Sequence, residues 1–218
     1  MIETNLILID GIAGTGKTTL ARKLHQAINE EHGNAILYLE FTKPHPIHEW
    51  EVADYQTWRR RTIDNWRTLA HRLVRAESVG ILEASVFQGT IGDLLERNIE
   101  ESEILEFAEQ VPSLLKAASP VLIYLVPDDI REHIERTYAE RPGRWQAKID
   151  NFVQKTAFGR ARRLSSLAGY VAFVEALKKL SDHLFEAYEM KKLLVNMTRL
   201  TRAECDSRIT DYLALPGE

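Results

Sequence analysis

A single cysteine, Cys205, stands in a chain of 218 residues. That count excludes an internal disulfide and suits a reducing compartment. Long apolar runs are also missing: no window approaches the length of a membrane span. The N-terminus enters a strand directly rather than a signal peptide, so a cytoplasmic location is expected. Positive charge is not in excess. The formal net charge of −4 gives no global reason to expect nucleic acid or an anionic membrane as partner. Internal repeats, low-complexity tracts and linkers are absent as well, so residues 1–218 read as one domain. What remains is 44% hydrophobic and 28% charged, the balance of an α/β domain with a large core.

The densest chemical signal runs from Leu6 to Thr19, LILIDGIAGTGKTT. Four β-prone apolar residues lead into a glycine-rich turn, and the turn leads into the start of a helix at Lys17 through His25, with His32-Gly33-Asn34 as the helix stop. The spacing Gly11-x4-Gly16-Lys17-Thr18 is the Walker A pattern. Glycines at 11, 14 and 16 let the backbone turn its N–H groups inward around phosphate oxygens. The helix start adds its dipole and its free amides. Lys17 supplies a cation to the outer phosphates, and the Thr18 hydroxyl is a hard ligand suited to Mg²⁺. Gly11, Ile12, Ala13, Gly14, Thr15, Gly16, Lys17, Thr18 and Thr19 are therefore the expected nucleotide-binding residues, with ATP and Mg²⁺ as cofactors. A dinucleotide fingerprint does not fit, because Thr19 stands where its third glycine belongs.

Further strands are expected at Ala35 to Phe41, Val79 to Glu83, Val121 to Val126 and Leu193 to Met197, each apolar enough to be buried. Helices are expected from about Val52 to Ala76, in one or two pieces from Ile91 to Ala117, and from Pro127-Asp128 to Ala139 with Asp128 as cap. Apolar spacing from Leu164 to Tyr188 marks one long helix or two, with Gly169 as the break. Thr201-x-x-Glu204 is a capping box opening a terminal helix. The alternation gives a three-layer αβα sandwich around a five-stranded parallel sheet.

Two of these strands end in carboxylates, Glu40 and Glu83, at the edge where parallel sheets bind ligands. An acid there can hold Mg²⁺ through water, expected of Glu83, or accept a proton from an attacking hydroxyl, expected of Glu40. Either could instead cap a turn. Arg136, Arg141 and Arg144 flank Pro142-Gly143 and form an expected lid at about 136–148, poised to neutralise charge on a transferring phosphate. His45, His48 and Glu49 lack the helical pairing of a zinc motif and read as solvated loop residues or acceptor contacts. Phe87-Gln88 either stacks on and bonds a planar acceptor or packs.

This order of motifs resembles the nucleoside and thymidylate kinase group of P-loop kinases. In the deoxynucleoside kinases a Glu ends the second strand and serves as base toward the sugar hydroxyl; Glu40 of Leu39-Glu40-Phe41 matches that place. Their third strand ends in Glu-Arg-Ser, of which Glu83-Ala84-Ser85 keeps the first and third members. The Asp-Arg of thymidylate kinases is not present, and the lid arginines have their counterparts in Arg136, Arg141 and Arg144. The resemblance implies phosphotransfer from ATP to a small-molecule acceptor, of which a nucleoside or nucleotide is one candidate class, with catalysis by Lys17, Glu40, Glu83 and the three arginines. A homodimer is compatible with the composition. The competing reading is a nucleotide-dependent ATPase or switch acting on a macromolecule; the Asp-Glu pair of ring ATPases and the Asn-Lys-x-Asp of GTPases are not visible.

Overall fold

The computed structural model describes residues 3–141 and 143–215. Five strands form one parallel sheet: β1 (Leu6–Gly11), β2 (Ala35–Tyr38), β3 (Val79–Glu83), β4 (Val121–Val126) and β5 (Lys191–Asn196), in the order β2-β3-β1-β4-β5. The strand that feeds the glycine-rich turn is thus central, with Ile9 in register with Glu83 of β3 and Ile123 of β4. Side-chain alternation divides the core. Ile7 and Ile9 of β1 and Ile123 and Leu125 of β4 pack on α1 (Lys17–His32) and the terminal helix, while Leu6, Leu8, Leu122 and Tyr124 face the other layer. That layer comprises α2 (Tyr55–Arg75), the short α3 (Gly92–Glu96), α4 (Glu101–Ala108) and α5 (Val111–Leu115), then α6 (Ile130–Glu140), α7 (Arg144–Lys155), α8 (Ala157–Arg162) and α9 (Ser166–Ala187). The terminal helix, α10 (Arg202–Tyr212), opens on the expected capping box of Thr201 and Glu204.

Several expectations require correction. The second strand stops at Tyr38, three residues short of Phe41, and it is a half-exposed edge strand rather than a buried one. Thr42 ends it: its hydroxyl accepts from the Leu39 amide at 2.9 Å, and its own amide donates to the Leu39 carbonyl at 2.9 Å, closing a turn that contains Glu40. The first helix ends at the expected stop, His32 followed by Gly33 at φ 71°, and needs no correction. The second helix starts at Tyr55 rather than Val52, and it buries Trp58, Trp66, Leu69, Ala70 and Leu73 while Val74 is exposed. Asp129, not Asp128, caps α6 by accepting from the Glu132 amide at 2.9 Å; Asp128 binds Arg199 and Asn196 instead. Gly169 does not break α9 but lies buried in its first turn. Helices α7 and α8 fill a stretch in which no helix was expected. Pro142, half of the expected flap, lies outside the described residues. No helix among the described residues is long and apolar enough to cross a membrane.

Candidate active site

The turn after β1 is shaped by glycines whose backbone angles disfavour any side chain. Gly14 and Gly16 both sit at φ 88°, in the left-handed region that disfavours side chains. A Cβ on Gly14 would lie 2.7 Å from the Thr137 hydroxyl, and one on Gly16 would lie 2.3 Å from the Arg202 guanidinium. His133 of α6 donates to the Ala13 carbonyl at 3.0 Å and steadies the outside of the loop. Gly16 caps α1 without any side-chain hydrogen bond, so the first amides of the helix remain available to an anion.

Inside the loop, the Lys17 ammonium is 5% exposed and donates to the Ile12 carbonyl at 2.9 Å. Burial pushes its pKa below the usual lysine value, against the pull of Asp10, Glu40 and Glu83. The Thr18 hydroxyl donates directly to a Glu83 carboxylate oxygen. The other Glu83 oxygen accepts from the Glu40 amide at 3.3 Å. One hydroxyl and one carboxylate in contact beside a phosphate-sized loop fit Mg²⁺, which keeps several waters and takes few protein ligands. Glu40 has its pKa raised, chiefly by burial. Glu40 and Glu83 thus meet at one place although only Glu83 ends a strand.

These groups line a cavity of about 390 Å³ that continues away from the loop between α7 and α9. Its far walls are Phe41, Trp145, Phe152, Tyr170 and Phe173, with Gln88 and Glu96 as polar members. Of the three expected arginines, Arg141 alone lines the cavity; its guanidinium rests 5.6 Å from the Trp145 ring centroid. Arg136 is exposed and donates to His133 at 3.5 Å, and Arg144 is exposed outside the cavity lining. The Phe87-Gln88 alternative divides: Phe87 packs edge-on against Tyr124 at 5.0 Å in the core, while Gln88 reaches the cavity. His45 and His48 are not solvated. Their rings stack at 4.0 Å, and burial pushes their pKa values down to about 3 and about 4, so both are neutral at physiological pH.

Asp10 carried no assigned role in the sequence, yet it organises the site. It is fully buried; one oxygen accepts from the amides of Val86 and Phe87 at 2.8 and 3.0 Å, the other from Gln88 at 2.9 Å. It thereby pins a π-helical turn, Val86–Ile91, to the end of β1. Its position between a buried strand and Gly11 was the available signal. Glu96 and Arg202 were also missed, because neither stands in a motif.

No protein-family model matches the chain, and no curated protein matches it. Solved structures do. A thymidylate kinase from Ehrlichia chaffeensis superposes with a TM-score of 0.53 at 12% identity, covering 97% of this chain and 99% of that one. The YorR protein of Bacillus subtilis, solved in complex with phosphorylated GDP, gives 0.52 at 12% identity, over 96% and 95%. This chain shares the fold of both structures. Within that fold the parallel sheet, the glycine-rich turn after its central strand and the helices flanking both faces occupy one αβα domain.

Proposed function

We propose that the protein is an ATP- and Mg²⁺-dependent phosphotransferase that moves the γ-phosphate to a hydroxyl of a small molecule. The reading is carried by the contact of Thr18 with Glu83, beside buried Lys17, at one end of a cavity whose other end is large enough for an acceptor. The likeness in fold to a thymidylate kinase, and to a protein solved with phosphorylated GDP, supports it.

The amides of residues 14–18 and Lys17 hold the outer phosphates. Thr18 and Glu83 are the residues that would hold the metal, which when bound would neutralise charge developing on the phosphates. Glu40 takes the proton of the acceptor hydroxyl, whose oxygen forms the new bond to phosphorus as the bridging P–O bond to the departing diphosphate breaks. Burial raises the basicity of Glu40 for that task. Arg141 stabilises charge spread over the equatorial oxygens. Segment 136–148 acts as the lid, with Gly143 as its pivot: its φ is 74°, and the space where a Cβ would stand is open to 4 Å.

The test is ADP release from Mg·ATP with a panel of nucleosides, nucleotides, sugars and aminoglycosides. Acceptor-dependent turnover, lost by at least about 10²-fold in Lys17→Ala with the fold retained by circular dichroism, is expected. Turnover unchanged by that substitution, or stimulated only by a macromolecule, overturns the reading.

A further inference from the structure

Beyond the phosphate loop the cavity changes character. Lys17 lies at the nucleotide end, and Arg141 stands between the two ends, close enough to depress the Lys17 pKa while resting 5.6 Å from the Trp145 ring. The remaining half holds the carboxylates of Glu40 and Glu96 against one ammonium, Lys148, which is exposed and sits over the Phe41 ring at 4.8 Å. Ala84, directly after the Glu83 strand end, is buried and offers no cation to an anionic acceptor. A phosphomonoester adds a charge of about −1.5 to −2 and would meet two carboxylates, with the Arg141 guanidinium held against the Trp145 ring.

The hydrogen-bonding balance points the same way. The Gln88 Oε1 atom is fully buried, in a residue lining the cavity, and has no donor. The Glu96 carboxylate makes no hydrogen bond or ion pair with any described residue. It faces Asp93 and Arg97 on its own stretch, Lys148 of α7 and Glu40 of the turn after β2, and burial, then Asp93, pushes its pKa up to about 7. Acceptor atoms wait for donors, and the surrounding walls include the aromatic side chains of Trp145, Phe152, Tyr170 and Phe173. Carboxylates framed by aromatic rings recognise organic ammonium groups, through charge and through the ring quadrupoles.

We infer that the phosphate acceptor is a hydroxylated amine, entering without a phosphate of its own, whose ammonium pairs with Glu96 while its hydroxyl is presented to Glu40. This deepens the phosphotransferase reading and rests on it.

The test uses the whole protein and three small probes of one shape: 2-amino-1-phenylethanol, 1-phenyl-1,2-ethanediol and phenyl phosphate. Binding of Mg·AMP-PNP is first measured by calorimetry, and its failure counts against the phosphotransferase reading alone. Each probe is then titrated with and without that nucleotide. The amine is expected to bind at least about tenfold tighter than the diol, about 1.4 kcal/mol, and phenyl phosphate more weakly than either. Glu96→Gln, checked for folding by its melting curve, removes the preference for the amine, and Glu96→Asp restores part of it. Equal affinity for amine and diol, tighter binding of phenyl phosphate, or a preference that survives Glu96→Gln overturns the inference.

Discussion

Replacing Asp10 tests whether a buried carboxylate in the central strand sets the geometry of the acceptor side. Asp10→Ala strands the amides of Val86, Phe87 and Gln88, three donors now held at 2.8–3.0 Å. A buried unsatisfied donor costs about 1–3 kcal/mol. The sum is offset in part because the carboxylate is itself desolvated, its pKa raised mainly by burial. The net loss is expected at about 3–6 kcal/mol, a large share of the roughly 5–15 kcal/mol typical of a domain. Asp10→Asn keeps one acceptor oxygen but turns an NH₂ toward N–H groups, and about 1–3 kcal/mol is expected. Urea unfolding followed by the fluorescence of buried Trp58 and Trp66 reads both. A second readout is affinity: Asp10→Asn weakens acceptor binding more than Mg·AMP-PNP binding, because Gln88 moves while the loop glycines stay. Loss of under about 1 kcal/mol in Asp10→Ala would refute the assignment of Asp10 as the pin.

Glu83→Gln is expected to raise the Mg²⁺ concentration needed for half-maximal turnover by about 10- to 100-fold with little change in melting temperature; an unchanged requirement removes Glu83 from the metal site. Gly16→Ala is expected to destabilise by about 2–4 kcal/mol, about 1–3 from the left-handed backbone and the rest from the Arg202 clash. Adding Arg202→Ala returns only the second share, and full recovery would show that φ does not matter there. The folded-state pKa of Glu96, about 7, lies above its ordinary 4.5. Over that window the folded chain binds more protons than the unfolded one, so Glu96 withdraws stability as pH rises from 4.5 toward 7. Melting curves of Glu96→Gln should therefore gain on the parent across that range; a constant difference counts against the shift.

The nucleotide end of the site was readable in the sequence because it is local: strand, glycines, lysine and threonine are contiguous, and backbone geometry follows from residue type. The five strands were readable from their apolar runs, but their edges were not. β2 ends early because an edge strand buries little, leaving the Thr42 side chain free to close a turn. Helix α7 escaped notice because only Ile149 and Val153 of its 12 residues are buried, too few for a visible stripe. The acceptor side assembles from the turn at 40–41, the π-turn, α3, α7 and α9, so no spacing along the chain could announce it. Arg141, Arg136 and Arg144 looked equivalent in sequence, yet only Arg141, between α6 and α7 and itself exposed, lines the cavity.

The wide turn at Val86–Ile91 closes with the Thr90 amide donating to the Ser85 carbonyl, five residues back, at 3.0 Å. It holds one more residue than an α-turn would. Deleting that surplus residue would swing the following positions of α3 by roughly 100° about the helix axis, Glu96 among them, with no residue of Gly11–Thr19 in the shortened turn. Chain length here is therefore a natural dial for what the site accepts, separable from how it grips its phosphate donor, and a library varying one codon at this spot would explore new acceptors faster than repainting the pocket walls.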